Sequence, residues 1–197
     1  MFHQPTTIAF TLPAWIEGYT ASVTNIPNLQ ERMSFVIEAS RKNSIEGTGG
    51  PFAAAIFEKG SGKLVSLGVN CVISQGLSML HAEMVSITLA QKKWGLYDLS
   101  QHALIEHELV TSTEPCAMCF GGIQWAGLKR VISGAKDEDA RRIGFNEGTK
   151  VNDWIKALEL QGIEVITEVH RQKAADVLTE YLILGGNIYN PSSNKNA

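Results

Sequence analysis

The sequence has no excess of positive charge: 17 Lys and Arg stand against 20 Asp and Glu, a net of -3 at pH 7. Phosphate contacts dominate nucleic-acid affinity, and a polynucleotide enzyme normally carries a basic face. None is visible here. From Leu158 onward only Arg171, Lys173 and Lys195 oppose Glu159, Glu164, Glu168, Asp176 and Glu180. A nucleic-acid partner is therefore not expected. Cysteine is scarce as well, with three in the chain, two of them in a C-x-x-C. An odd, low count argues against a disulfide framework and for metal or redox chemistry in a reducing compartment. No apolar run approaches the roughly 18 residues needed to cross a bilayer, so no membrane role is expected. The start, Met1-Phe2-His3-Gln4-Pro5, lacks the basic and apolar regions of a secretion signal, and the expected location is the cytoplasm. No internal repeat or low-complexity tract breaks the chain.

What remains is a globular composition, 44% apolar and 19% charged over 197 residues, enough for one well-buried core. The first 27 residues, with Pro5, Pro13, Gly18 and Pro27, read as an irregular arm. A domain over residues 28–190 and a polar tail over 191–197 complete the expected organisation. Helical spacing of Met33, Val36, Ile37 and Ser40 predicts a helix over Asn28–Asn43. Phe52–Phe57 and Leu64–Asn70 flank a polar, Gly-containing turn and predict a hairpin. Helices are expected at His81–Trp94, Cys116–Ala126, Val151–Leu160 and Gln172–Leu184, and strands at Ala103–Thr111, Arg130–Gly134 and Glu164–Val169. A hairpin followed by alternating helices and strands implies a three-layer α/β/α domain around a mixed sheet of about five strands.

Two short segments carry chemistry, His81-Ala82-Glu83 and Pro115-Cys116-Ala117-Met118-Cys119. Cys116 and Cys119 are three apart, so a helix puts both sulfurs on one face. With the His81 imidazole they give Zn²⁺ three protein ligands and leave a fourth position for water, the layout of a catalytic site. His81 and Glu83 are two apart and diverge in a regular helix. They converge only if the helix begins at His81. Pro115 likewise fits a helix start and not an interior. Two helix N-termini aimed at the metal would offset its thiolate charge and favour the thiolate form. Glu83 is then placed to move protons between water, a ring nitrogen and a leaving amine. Two other readings stay open. The C-x-x-C could be a redox dithiol, or Cys71 could complete a closed structural zinc site.

The paired H-x-E and P-C-x-x-C signature is that of zinc deaminases. From about Met33 to Ile183 the chain resembles the cytidine deaminase superfamily, and within it the bacterial guanine deaminases. The shared pattern is Pro51-Phe52, Asn70, His81-Ala82-Glu83, Glu114-Pro115-Cys116-x-Met118-Cys119, Gly122-Ile123-x-Trp125-Ala126 and Gly144-Phe145-Asn146-Glu147. The resemblance implies one Zn²⁺ per subunit on His81, Cys116 and Cys119, with Glu83 and Glu147 catalytic. It implies a free nucleobase held by Asn70, Ala82, Phe52, Trp125 and a closing aromatic, for which Tyr189 is the candidate. It also implies a homodimer. The sequence departs from that pattern at Ala117, Gln124 and Glu147, where Pro, an aromatic and Asp are more usual. The expected reaction is guanine to xanthine and ammonia, with amino-triazines such as ammeline as related substrates. Adenosine deamination in tRNA, deamination of another cytosine or nucleoside, and a zinc-stabilised binding protein without turnover are the alternatives.

Overall fold

A computed structural model describes residues 3–191. The tail expected over 191–197 lies outside the described residues apart from Pro191. Among the described residues eight α-helices and five strands follow one another as α1 (Trp15–Thr20), α2 (Leu29–Ile45), β1 (Ala53–Glu58), β2 (Leu64–Val69), α3 (Val72–Gln75), α4 (Ala82–Trp94), β3 (His107–Thr113), α5 (Ala117–Trp125), β4 (Arg130–Ala135), α6 (Asp137–Arg142), α7 (Trp154–Glu159), β5 (Glu164–Ile166) and α8 (Arg171–Ile183).

The strands form one sheet in the order β2-β1-β3-β4-β5. β1 runs antiparallel to both β2 and β3, whereas β3, β4 and β5 are mutually parallel. The sheet is thus mixed. Its central strands are buried on both faces, which is why β1 reads as an unbroken apolar run and not an alternation. Period-two geometry still sorts the side chains. Ala53, Ala55 and Phe57 join Val110 and Ile132 against α2 and α8, while Ala54 and Ile56 join Leu109 and Val131 against α4, α5 and α7. These two cores make the three layers.

Local chemistry sets the helix starts. Asn28 caps α2 by accepting from the N–H groups of Gln30 and Glu31. The arm expected to be irregular contains α1, whose Trp15 and Tyr19 pack edge-on at 5.6 Å, with Tyr19 stacked on Phe35 of α2 at 4.9 Å. One strand begins later than its sequence suggests. Ala103, Leu104 and Ile105 form a loop, with Leu104 92% exposed. The reason is pairing: β1 ends at Glu58 opposite His107, and past it only the Lys59 N–H reaches the Glu106 carbonyl, at 2.8 Å, which leaves residues 103–105 without a strand to pair with.

The feature that places the site is the contact of α4 with β2. A methyl group added at Gly68 would lie 2.4 Å from the Ala82 carbonyl oxygen and 2.5 Å from the Ser86 nitrogen. Both are backbone atoms and cannot swing aside. Gly68 therefore lets the first turn of α4 lie directly on the sheet. Gly68→Ala should lower the melting temperature by about 3–10 °C, from an overpacking cost of about 1–3 kcal/mol in a chain of this size. Gly18→Ala, inside α1 where an added methyl meets nothing within 4 Å, is the control and should hold or slightly raise it, since alanine is favoured over glycine in a helix by up to about 1 kcal/mol. Equal melting temperatures for the two variants would show that α4 can move off β2 without cost.

Candidate active site

Both metal-motif helices start where the sequence requires. His81 and Cys116 are the N-cap residues of α4 and α5, each in extended conformation, with ψ of 153° and 175°. The extended residue lets the His81 side chain and the Glu83 carboxyl reach the same space. Cys119, one turn into α5, returns to the face that Cys116 begins.

The His81 Nδ1 atom lies 3.4 Å from Cys116 Sγ and 3.7 Å from Cys119 Sγ. A tetrahedral zinc with bonds of about 2.3 Å to sulfur and about 2.0–2.1 Å to nitrogen separates an N and an S ligand by roughly 3.5 Å. The three donors are therefore spaced to fit one zinc ion. Among the described residues they are the only such cluster of His, Cys, Asp or Glu. Cys71 is not in it. Its buried thiol faces the Val69 carbonyl at 3.4 Å, so the closed four-ligand site is not built. The thiols point to the same chemistry. Hydrogen bonding from Cys119 brings the Cys116 thiol down to about 4, with that from His81 adding to it against the cost of burial, while Cys119, the donor, is pushed up. Two adjacent sulfurs cannot both ionise unaided in so buried a place. A divalent cation is what would hold both as thiolates.

A cavity of about 620 Å³ opens beside this cluster. Glu83 lies in its wall, 7% exposed. Burial first, and the negative charge of Cys116 second, raise its carboxyl above the ordinary range. Asn70, 1% exposed, sits at the end of β2, where its Oδ1 accepts the Val72 N–H at 3.2 Å. That commitment leaves the donor end of the carboxamide to offer to a ligand. Glu147 enters from the loop after α6. Its backbone carbonyl accepts the Ala117 N–H at 2.9 Å, so this loop caps the metal helix as it delivers the carboxyl. Burial, then the charges of Cys116 and Glu83, push the Glu147 carboxyl up to about 8.

Aromatic rings form another part of the wall. Phe145 meets Phe52 at 5.0 Å and Tyr189 at 5.2 Å, both edge to face. Tyr189 lies on the cavity of its own chain. The segment that carries it is clamped to the Glu147 loop, because Asn190 accepts the Asn146 N–H and donates to the Gly144 carbonyl, each at 2.9 Å.

The cavity thus gathers Phe52, Asn70, His81, Glu83, Cys116, Glu147 and Tyr189, with Cys119 directly behind in the metal cluster. Two expected residues stand apart. Trp125 is 83% exposed and borders a separate groove with Tyr97 and Met84. It lies nine residues beyond Cys116, about 13 Å along the helix axis at 1.5 Å per residue, too far to line this cavity. Ala82 is fully buried in the α4 core, and its side chain does not border the cavity. Phe145 takes the place foreseen for Trp125. Its position beside Asn146-Glu147 was the available signal.

Residues 27–135 match the family model described as the cytidine and deoxycytidylate deaminase zinc-binding region. The chain belongs to this family. It is 39% identical over 101 residues to the guanine deaminase of Bacillus subtilis, a stretch covering 51% of this chain and 60% of that relative's length. It is 27% identical over 119 residues to a tRNA-specific adenosine deaminase of Buchnera aphidicola, covering 60% and 72%. The solved structure of guanine deaminase from Nitrosomonas europaea superimposes with a TM-score of 0.86 at 38% identity, covering 91% of this chain and 98% of that one. The family's zinc-binding region contains His81, Cys116 and Cys119, so the donor spacing and the family agree on the metal.

Proposed function

We propose that this deaminase hydrolyses guanine to xanthine and ammonia, with one zinc per subunit. The observation that carries the reading is the burial of a second carboxyl, Glu147, in the wall of the cavity that also holds Glu83, His81 and Cys116. A cavity for a bulky nucleotide chain would be open and basic. This one is lined by aromatic rings and carboxyls, with no Lys or Arg among the described lining residues, which suits a neutral, flat, aminated ring. The guanine deaminases of Bacillus subtilis and Nitrosomonas europaea support the same substrate.

The residues divide the work as follows. Asn70 donates to the base, and Phe52, Phe145 and Tyr189 hold its faces and keep solvent out. The bound zinc supplies Lewis acidity that lets water act as a nucleophile near neutral pH. Glu83 carries one proton of the attacking water to the adjacent ring nitrogen, then takes the second from the newly added hydroxyl and gives it to the departing amine as the carbonyl forms. A C–O bond forms and the exocyclic C–N bond breaks, so one guanine and one water give one xanthine and one ammonia. Glu147 meets the exocyclic amine and steadies it as it leaves.

The net charge of -3 speaks against a tRNA substrate. No helix among the described residues is long and apolar enough to cross a membrane. A cytoplasmic homodimer belongs to the same reading, and exposed Trp125 and Tyr97 on one groove are compatible with a subunit contact. The test is ammonia release by the zinc-loaded protein from guanine, adenine, cytosine, cytidine, guanosine, ammeline and tRNA. Release from guanine with none from tRNA is expected. Release from tRNA or cytidine in place of guanine would keep the zinc chemistry and overturn the substrate.

A further inference from the structure

An unbroken chain of side-chain hydrogen bonds runs from the N-terminal arm to the cavity wall. Trp15 of α1 donates its Nε1–H to Thr48 Oγ1 at 3.1 Å. The Thr48 hydroxyl donates to Asn43 Oδ1 at 2.8 Å. Asn43 Nδ2 in turn donates to two backbone carbonyls, Gly50 at 2.8 Å and Asn70 at 3.0 Å.

The direction of every proton in this chain is fixed by its ends. An indole N–H can only donate and a carbonyl can only accept. Trp15 therefore occupies an acceptor position of the Thr48 hydroxyl, whose proton goes to Asn43, where Oδ1 at 2.8 Å is nearer than the backbone carbonyl at 3.3 Å. That in turn leaves Nδ2 facing the two carbonyls. A flipped Asn43 amide would set an oxygen against two oxygens in a site with no solvent, since Asn43 is fully buried. Linked neutral bonds of this kind polarise and strengthen one another.

The turn between these groups has no slack. A methyl group at Gly49 would lie 1.9 Å from the Asn70 carbonyl oxygen and 2.7 Å from Asn43 Nδ2. Gly50 abuts the Tyr189 hydroxyl, which would lie 2.9 Å from an added methyl. Asn70 is also held from the other side, its N–H donating to the Phe52 carbonyl at 3.0 Å. The backbone of Asn70 is thus pinned through both its polar groups, and one of the two pins is the amide of Asn43.

We propose that Trp15, Thr48 and Asn43 form a positioning relay through which the N-terminal arm sets the orientation of Asn70 at the cavity wall. None of the three touches the cavity. The relay gives the arm a role in the site, and its kinetic consequence rests on the reading of Asn70 as the base-binding residue.

The test uses the full, zinc-loaded chain and four variants: Trp15→Phe, Thr48→Val, Thr48→Ser and Asn43→Asp. Thr48→Val removes the hydroxyl at constant shape, and Asn43→Asp replaces the donor by an acceptor. Base contacts made equally in ground and transition states appear in KM, so both variants should raise KM for guanine about tenfold while kcat changes less than about threefold. Trp15→Phe should act in the same direction more weakly, and Thr48→Ser should restore the wild-type values. A second readout does not depend on turnover. The Val72 N–H donates to Asn70 Oδ1, so its hydrogen exchange, followed by NMR, reports on that side chain. It should quicken by about fivefold or more in Thr48→Val and Asn43→Asp, with the Ile132 N–H in β4 unchanged. Unchanged Val72 exchange in these two variants overturns the relay whatever the KM. Faster exchange at Ile132 as well as Val72 shows general loosening and overturns it too. If the wild-type protein releases no ammonia from guanine, the substrate reading fails while the exchange measurement still decides the relay.

Discussion

Glu83→Gln should lower kcat for ammonia release by at least about a thousandfold while the protein keeps its zinc, as expected when a general acid–base group worth about 10²–10⁴ serves several proton transfers. The substitution preserves shape, exchanges one accepting oxygen for an amide donor, and removes the capacity to take up a proton. Metal retention is expected because His81, Cys116 and Cys119 supply the donors, and their spacing needs no help from the carboxyl. The burial that raises the Glu83 carboxyl suits this role, since a shuttle must gain a proton nearly as readily as it loses one. The measurement is kcat with zinc content determined on the same sample. A variant that retains zinc and works within tenfold of wild type would remove Glu83 from the proton path. Indifference of every property to this change would restore the binding-protein alternative. A structural zinc site has no use for a buried acid beside it.

The metal centre was legible because its chemistry constrains the backbone. Two side chains at i and i+2 cannot converge from a regular helix, so His81 and Glu83 demanded a helix start, and His81 is the N-cap. Pro115 marked the second start in the same way. The sheet was legible for a similar reason. Runs such as Ala53–Glu58, buried on both faces, have few alternatives to a central strand. What escaped were the features decided by distant contacts. Trp125 shares a motif with the metal cysteines, but its distance along α5 carries it out of the cavity. Asn43 reads as an ordinary residue near a helix end. Nothing local reveals that its amide meets a carbonyl 27 positions away. Asn190 is equally silent until the 144–148 loop is seen beside it. The strand expected from Ala103 failed because apolar character does not create a pairing partner.

The Glu147→Gln variant should show two effects of opposite sign. Turnover of guanine should fall by about a hundredfold or more, the cost expected when an electrostatic partner of the leaving group is lost, with zinc retained. Stability should rise at pH 8 and above. The sign follows from linkage. A carboxyl raised from its ordinary 4.5 to about 8 binds its proton more tightly in the folded chain than in the unfolded one. The folded state therefore loses stability as pH climbs from about 4.5 through about 8, and above that it carries a buried charge that the unfolded chain would expose to water. Zinc with two thiolates has no net charge by formal addition, so the metal cancels the Cys116 contribution and leaves burial, the larger cause, in place. Glutamine has nothing to ionise and escapes this cost. Wild type and variant should thus melt together near pH 4.5 and separate progressively toward pH 9, the variant higher. Loss of activity with a gain of alkaline stability is what a buried acid kept for its chemistry predicts. An unaffected rate would show that Glu147 does not serve the departing amine. A variant less stable at every pH would instead make its carboxyl a structural anchor of the loop that caps α5.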